Sequence, residues 1–491
     1  MLNRARWGGI LRGAGWVAGL GWAAGAMAQM PSVAETLEKL GQRQRQQVAA
    51  SARYQVFHGF RFTDRVEESG IRFEHRVVDD AGKTWVPAHY DHGGGVAAAD
   101  VDGDGRPDLF FTSQLGRCEL WRNAGGGRWE DWTARMTPVL TDVVAVGAAF
   151  ADVDNDGDPD LFVTTVRHGN RLMVNEGGGV FRDGTEAAGL VHSGHSAGVV
   201  FGDFDRDGQL DLLVTDVGRY TTGEQGPGGF HRAITNAFHG HLYPERTEYK
   251  TLYRNVGGGR FRDVTGEVGL RDGSWSGEAT LADLNEDGYP DLYLVNMQGD
   301  DRYYENQGGR AFVEKTAEHF PRTPWGAMGV KFFDFNNDGR MDLYVTDMHS
   351  DMTPRQTLDG LRFPARMEKE KSDAYCSARW DESFLQGSSN NVFGNAFYVN
   401  LGGGRFMERS DALGLETYWP WGPSVGDFNA DGFADVFVTA GMGHPFRYAI
   451  NSLLLNEGGR RFVDGEFLVG LEPRAGGRLE RTCFTLDCDG P

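Results

Sequence analysis

Six short stretches of this chain carry oxygen-bearing side chains at a spacing suited to holding a hard cation. The first is Asp100-Val-Asp102-Gly-Asp104-Gly105-Arg-Pro-Asp108, with Asp at positions 1, 3, 5 and 9 and Gly at position 6. The pattern returns with Asp152, Asp154, Asp156 and Asp160, and with Asp203, Asp205, Asp207 and Asp211. It returns again with Asp283, Asn285, Asp287 and Asp291, with Asp334, Asn336, Asp338 and Asp342, and with Asp427, Asn429, Asp431 and Asp435. A calcium ion takes several oxygen ligands, and carboxylates on alternate residues of a tight loop converge on one point. The Gly permits the backbone reversal that turns those side chains inward. Position 7 reads Arg, Asp, Gln, Tyr, Arg and Phe, so only its carbonyl is a common ligand there. Position 9, always Asp, is expected to close the site bidentately. An isolated acidic turn often binds nothing, but six copies with one ligand spacing point to about six calcium sites.

The elements that must position these loops follow from their flanks. Each loop is followed by DLFFT, DLFVT, DLLVT, DLYLV, DLYVT or DVFVT, runs of β-branched and aromatic residues that read as strands. A second marker, Asn-x-Gly-Gly, stands at Asn123, Asn175, Asn255, Asn306, Asn400 and Asn456, with an aromatic soon after it. It reads as a tight hairpin turn. From each Asn to the first Asp of the next loop is 29, 28, 28, 28 and 27 residues. A unit of about 51 residues therefore carries four strands: A before the metal loop, B after it, C before the Gly turn and D after it. Tandem four-stranded units are the blades of a β-propeller, whose closed ring protects strand edges. Phe62-Thr-Asp64 with Gly70-Ile71 repeats the spacing of Phe261-Arg-Asp263 with Gly269-Leu270, so residues 60–71 read as a D strand without its own A, B and C. Thr482–Asp487 reads as a further strand A. The expected fold is all-β, a seven-bladed propeller over residues 57–491 whose last blade is incomplete at the C-terminal end and exposes unpaired edges.

These loops, with DGxxD followed by L-[FY]-V, resemble the FG-GAP (VCBS-type) repeats of integrin α-subunit propellers. Thr346-Asp-Met-His-Ser-Asp-Met352, Asn400-Leu-Gly-Gly-Gly-Arg-Phe406 and Trp419-Pro-Trp421-Gly are similar to bacterial relatives of the cartilage acidic protein family. The resemblance covers residues 57–490 and implies a propeller that an ASPIC/UnbV domain usually follows. This chain departs from that pattern by ending inside the seventh repeat.

Composition limits the partners. Seventy Asp and Glu against 49 Lys and Arg give a net charge of −21, and 21 of those acids occupy ligand positions of the six loops. Acidity of this origin argues against nucleic acid. Residues 1–28 resemble a secretory signal peptide: Arg4, Arg6 and Arg12 precede an apolar run that ends at Ala26-Met-Ala28. The mature chain carries no transmembrane span, so the expected location is periplasmic or extracellular, where calcium is abundant. Residues 29–56 form a helical linker opened by Ser32-Val-Ala-Glu35. The scattered cysteines (Cys118, Cys376, Cys483, Cys488) predict no disulfide framework.

Two insertions, about 217–250 and 348–395, fall between strands B and C, on the face opposite the metal loops. The D-to-A connections place His92, His195, Trp275, Trp325, Trp419 and Trp421 on that same face. Long loops on a rigid scaffold usually carry binding, which makes these six the ligand-face candidates. Packing at blade junctions is the competing role for the tryptophans. No nucleophile–His–acid arrangement and no phosphate-binding Gly loop is readable, so the expected function is a binding or adhesion scaffold for an unidentified protein or glycan. The alternative is a carbohydrate-active hydrolase or lyase using the same face. Loop chemistry itself is open to test. Asp156→Ala should lower calcium stoichiometry by one and Arg106→Ala should not; equal losses, read by equilibrium dialysis, would show the ligand assignment to be wrong.

Overall fold

The computed structural model describes residues 33–57, 59–76, 94–225, 231–234, 244–348, 391–392, 394–417, 420–443, 446–447 and 450–473. The expected signal peptide, His92, Trp419, most of the second insertion and the segment 482–487 lie outside them. Among the described residues no helix is long and apolar enough to cross a membrane.

The repeat unit folds as its periodicity requires. Blade 1 is built from Val96–Ala99, Asp108–Phe111, Glu119–Gly125 and Arg128–Asp131, hydrogen-bonded in that order. Blades 3 to 6 repeat the order, starting at Ser196, Trp275, Ala327 and Pro420. Blade 2 (Ala145–Ala151, Asp160–Thr165, Arg171–Asn175 and Phe181–Asp183) adds a short parallel strand, Met136–Thr137, at its outer edge. All ladders within a blade from A to D are antiparallel. Strand B is buried at nearly every position because neighbouring blades cover both of its faces: Asp160–Thr165, Asp211–Asp216 and Asp342–Asp347 are buried throughout.

Adjacent blades meet through two recurrent devices. Near the axis, the Thr at the end of strand B donates to the first turns of the next strand A. Thr112 Oγ1 lies 3.3 Å from Val146 O and Thr164 Oγ1 lies 2.6 Å from Ala197 O. Glycine on strand A makes the approach possible, since a Cβ on Gly147 would stand 2.5 Å from Ala197 O. At the metal-loop face, the side-chain amide of the Asn marker crosses to the preceding blade. Asn175 Nδ2 donates to Val101 O (3.0 Å), Asn255 Nδ2 to Val153 O (2.7 Å), Asn306 Nδ2 to Phe204 O (2.8 Å) and Asn456 Nδ2 to Phe335 O (2.7 Å). The same amide also donates to position 8 of its own loop, and its oxygen accepts a turn N–H, as in Gly177 N to Asn175 Oδ1 at 3.1 Å. The marker is thus a blade-to-blade latch as well as a hairpin turn.

The expectation of seven blades is corrected to six four-stranded blades among the described residues. Residues 60–71 nevertheless stand where the outer strand of a further blade belongs. Phe62 N donates to Val469 O at 2.7 Å, as Phe261 N does to Ala188 O and Phe312 N to Val268 O. On its other side Gly70, in the left-handed region at φ 86°, packs under Trp129 O of blade 1, as Gly189 packs under Phe261 O. The inner strands that would complete this place are not among the described residues. The edge is not bare, however. Val56, Tyr54, Phe57, Phe60 and Phe62 cover Leu453, Leu455 and Val469 of blade 6. Each such side chain contributes about 1.5–3 kcal/mol when fully buried.

The expected N-terminal helix is present at Val33–Ser51. Its apolar face is narrow, with Leu40 buried but Leu37 and Val48 exposed. A polar contact docks it instead: Gln47 Nε2 donates to Glu466 Oε1 at 2.6 Å, and Gln47 Oε1 accepts from Phe467 N at 3.1 Å.

The latch generates a prediction. Asn255→Ala leaves two buried carbonyls, Val153 O and Leu210 O, without their donor. The expected loss is about 1–3 kcal/mol in denaturant unfolding. Asn400→Ala, whose amide bonds only its own loop at Met341 O, should cost less.

Candidate metal centres

Every loop is wound by its own carboxylates. Position 4 is left-handed (φ 58–72°), as is the Gly at position 6 (φ 84–96°). Asp100 Oδ1 and Oδ2 accept the N–H groups of Asp104 (3.0 Å) and Gly105 (2.6 Å), and the first Asp of each other loop does the same. Position 5 accepts the N–H of position 7 in every copy.

Position 9 carries a structural task besides the cation-closing one expected of it. Asp160 Oδ2 accepts Val153 N at 3.1 Å and its Oδ1 accepts Asn175 N at 2.8 Å. The other five copies make the same two bonds, so this carboxylate ties the A-to-B loop to the end of strand C. All six are at most 2% exposed. Burial pushes Asp160, Asp211 and Asp342 up to about 7, and Asp291 and Asp435 up to about 6, against the opposing pull of the backbone N–H donors. Each side-chain oxygen keeps a lone pair that can still turn to a cation.

The donor sets fit a hard divalent cation. In blades 1 to 3 one oxygen from each of positions 1, 3 and 9 lies within 4.8 Å of the others: Asp100, Asp102, Asp108; Asp152, Asp154, Asp160; and Asp203, Asp205, Asp211. Oxygens bound to one ion at about 2.3–2.6 Å are separated by no more than about 5 Å. Moreover, Asp154 Oδ1 and Asp205 Oδ1 are buried with no hydrogen-bond partner, the state expected of an oxygen reserved for a ligand. Blades 4 to 6 carry Asn at position 3, and its amide donates to position 5, as Asn285 Nδ2 does to Asp287 Oδ2 at 3.1 Å. Strand C contributes a group that the loop motif does not announce. Arg122 pairs with Asp102 (2.5 Å) and Asp104 (2.6 Å), and Arg254 pairs with Asp205 (2.8 Å). Its only signal in the sequence is an Arg directly before the Asn marker.

On the opposite face the ligand-face candidates separate. His195 is 0% exposed, Trp275 3% and Trp325 2%, so these three are packing residues and not a contact surface. Trp275 joins Val144, Val166, Val217, Tyr220 and Met297 in an apolar cluster that gathers strand ends from blades 2, 3 and 4. Trp421 is half-buried, with Nε1 donating to Gly441 O at 2.6 Å. What the face does expose is a cleft of about 720 Å³ on blade 2, lined among others by Arg167, Arg171, Asp183, Glu186 and His192. The first insertion places a hairpin, Thr221–Gln225 with His231–Ala233, beside it, with the His231 ring 5.6 Å from that of His168.

Two buried polar contacts staple this insertion down. His195 Nδ1 lies 2.8 Å from Glu248 Oε2, and His195 Nε2 lies 2.7 Å from Thr221 Oγ1. The carboxylate accepts from Nδ1–H, and Nε2 shares a hydrogen bond with the Thr221 hydroxyl, so both ring nitrogens are engaged. Burial opposes ionisation of Glu248, but the His195 bonds override it and hold the carboxyl below its usual range. The sequence reading missed this hydroxyl–His–acid relay because its members are 26 and 53 residues apart. Thr221 is 1% exposed, so no substrate reaches its hydroxyl and the relay acts as a clamp. At the other end of the insertion, fully buried Lys250 sets Nζ 3.0 Å from Asp272 Oδ1, while Tyr304 donates to Asp272 Oδ2 at 2.5 Å.

A family model of FG-GAP-like repeats matches residues 100–163, 152–214, 283–345 and 380–438. Cartilage acidic protein 1 of Mus musculus is 23% identical over 283 residues, which are 52% of this chain and 39% of that protein. The Homo sapiens protein is 24% identical over 284 residues, 52% of this chain and 38% of its own length. This chain therefore spans well under half the length of the curated relatives it matches. Among solved structures, that of an Agrocybe aegerita lectin specifically recognising non-reducing terminal N-acetylglucosamine aligns with 74% of this chain and 77% of its own, at 16% identity and a TM-score of 0.38.

The staples are testable. Lys250→Met strands Asp272 as an unpaired buried charge and should cost about 3–5 kcal/mol. His195→Ala should leave the blades intact while speeding protease cleavage within 217–250. Unchanged cleavage in both variants would show that the contacts do not hold the insertion.

Proposed function

Because this chain is an FG-GAP-repeat β-propeller protein homologous to cartilage acidic protein 1, we propose that it is an exported calcium-binding scaffold. Its calcium loops stiffen one face, and the opposite face holds a protein or glycan partner. The observation that carries this reading is the set of converging carboxylates, with Asp154 Oδ1 and Asp205 Oδ1 buried and unpartnered.

In each loop positions 1, 3 and 5 would hold the ion, with position 9 bridging from the buried side. A bound calcium supplies positive charge that offsets the mutual repulsion of three or four carboxylates. The chain's own part is structural. Loop backbone N–H groups keep the acids gathered, and position 9 passes the ordering of the loop to strand C and, through the Asn latch, to the preceding blade. Calcium on this reading supports stability and does not signal. The leader-like run at residues 1–28 supports export, where millimolar calcium is available.

The binding face is supported by the cleft on blade 2 and the stapled hairpin beside it. Arginines and carboxylates lining one open cleft suit a polar ligand such as a glycan or a charged peptide. The buried clamp at His195 serves the same reading by holding that hairpin in one place.

Thermal unfolding of the purified chain in excess EDTA should fall well below that in millimolar calcium. Each site adds about 2.7 kcal/mol when free calcium is 100 times its Kd. An unchanged midpoint would sink the calcium reading. Glycan-array and peptide-array binding, compared for the parent and for Arg171→Ala, tests the binding face. A partner whose capture ignores that change does not use the cleft.

A further inference from the structure

We infer that the six loops are unequal: the loop of blade 2 is the dominant cation site, and Arg122 and Arg254 are built-in counter-ions that hold the loops of blades 1 and 3 at lower cation affinity. This rests on the calcium reading above and asks what the chain's own residues do to it.

The residue directly before the Asn marker is Arg122, Val174, Arg254, Glu305, Val399 and Leu455 in blades 1 to 6. It sits at the end of strand C, beside the loop of its own blade. Three loops have Asp at all four ligand positions, those of blades 1, 2 and 3. In blade 1 the guanidinium of Arg122 spans the loop, with Nε on Asp102 and Nη2 on Asp104, and Arg106 also pairs with Asp104. In blade 3 Arg254 sits against Asp205. Blade 2 has Val174 at that place, so its four carboxylates face no cationic side chain among the described contacts. Asp154 Oδ1 is left buried and unpartnered there.

The remaining loops reach lower charge by another route. Asn285, Asn336 and Asn429 replace the acid at position 3, and their amides donate to position 5. In blade 4 the strand-C carboxylate is drawn elsewhere, since Glu305 accepts from Gln307 Nε2 at 2.7 Å and lies 3.7 Å from His319 Nε2. Five of the six loops thus have a guanidinium or a side-chain amide set against their acids, and blade 2 has neither among the described contacts. A divalent ion entering blade 1 or 3 meets a fixed positive charge a few ångströms away. Even with the full screening of bulk water that opposition is worth about tenfold in affinity.

Blade 2 is also well placed to spread the effect of a bound ion. Asn155 Nδ2 donates to Gly208 O of the neighbouring loop at 3.2 Å, and Val153 O receives the latch from Asn255.

The test is a calcium titration by isothermal calorimetry on the full, metal-stripped chain. One site should bind about tenfold tighter than the rest. Val174→Arg should remove that step. Asp154→Asn should also remove it, with circular dichroism confirming the fold. Arg122→Leu and Arg254→Leu should each add one tight site. A single uniform class of sites, unmoved by Val174→Arg or by the two Leu variants, overturns this inference and leaves the calcium reading standing. Absence of calcium binding at every loop overturns the calcium reading itself.

Discussion

The fold depends on one buried carboxylate per blade. The Asp at the end of each loop is removed from water, and a buried ion costs several kcal/mol unless its environment answers it. Here two backbone N–H donors do so, one from the start of the loop and one from the end of strand C. The acid is therefore the point where the A-to-B turn, strand B and strand C are joined. The tight turn, the strand order and the proximity of the two hairpin tips all follow from satisfying it.

From that joint the constraint passes sideways. In four blades the Asn whose N–H answers the carboxylate also sends its amide to the blade before it. A loop that is well ordered therefore orders its neighbour, and the ring is assembled from contacts that repeat blade by blade. Such nearest-neighbour coupling makes stability close to a sum over blades and junctions. Beside blade 6, residues 60–71 keep the outer contacts of the series, and aromatic residues cover the apolar flank of that blade.

The other face obeys a different logic. It is not repetitive, and the interactions there join residues far apart in the chain. The His195–Glu248 and Lys250–Asp272 contacts are buried polar pairs, costly to break and specific in geometry. They fix an insertion that a periodic scaffold has no other means to hold. A rigid repeat on one side and an individually stapled loop on the other is the arrangement expected of a scaffold that presents a binding surface.

Sequence alone determined what is local and repeated. Ligand spacing, the Gly at position 6, the β-rich run after each loop and the constant interval from Asn marker to loop all act within a few residues of one another, so a blade is legible in a single copy and certain in six. Counting blades was less secure, because the order of the terminal strands depends on which edge they meet in space: six four-stranded blades are described, not seven. The ligand-face residues show the limit most plainly. Trp275 and Trp325 stand at or just before the start of strand A on the expected face, yet the tertiary structure buries both, Trp275 in an apolar cluster drawn from three blades. Likewise the Asn marker reads as a turn, and its second bond is to a carbonyl 74 to 121 residues away. Arg122 and Arg254 look like ordinary strand residues until strand C is laid beside the loop. Charge and hydrogen bonding act through space over a few ångströms, and only the folded chain decides which distant residues come that close.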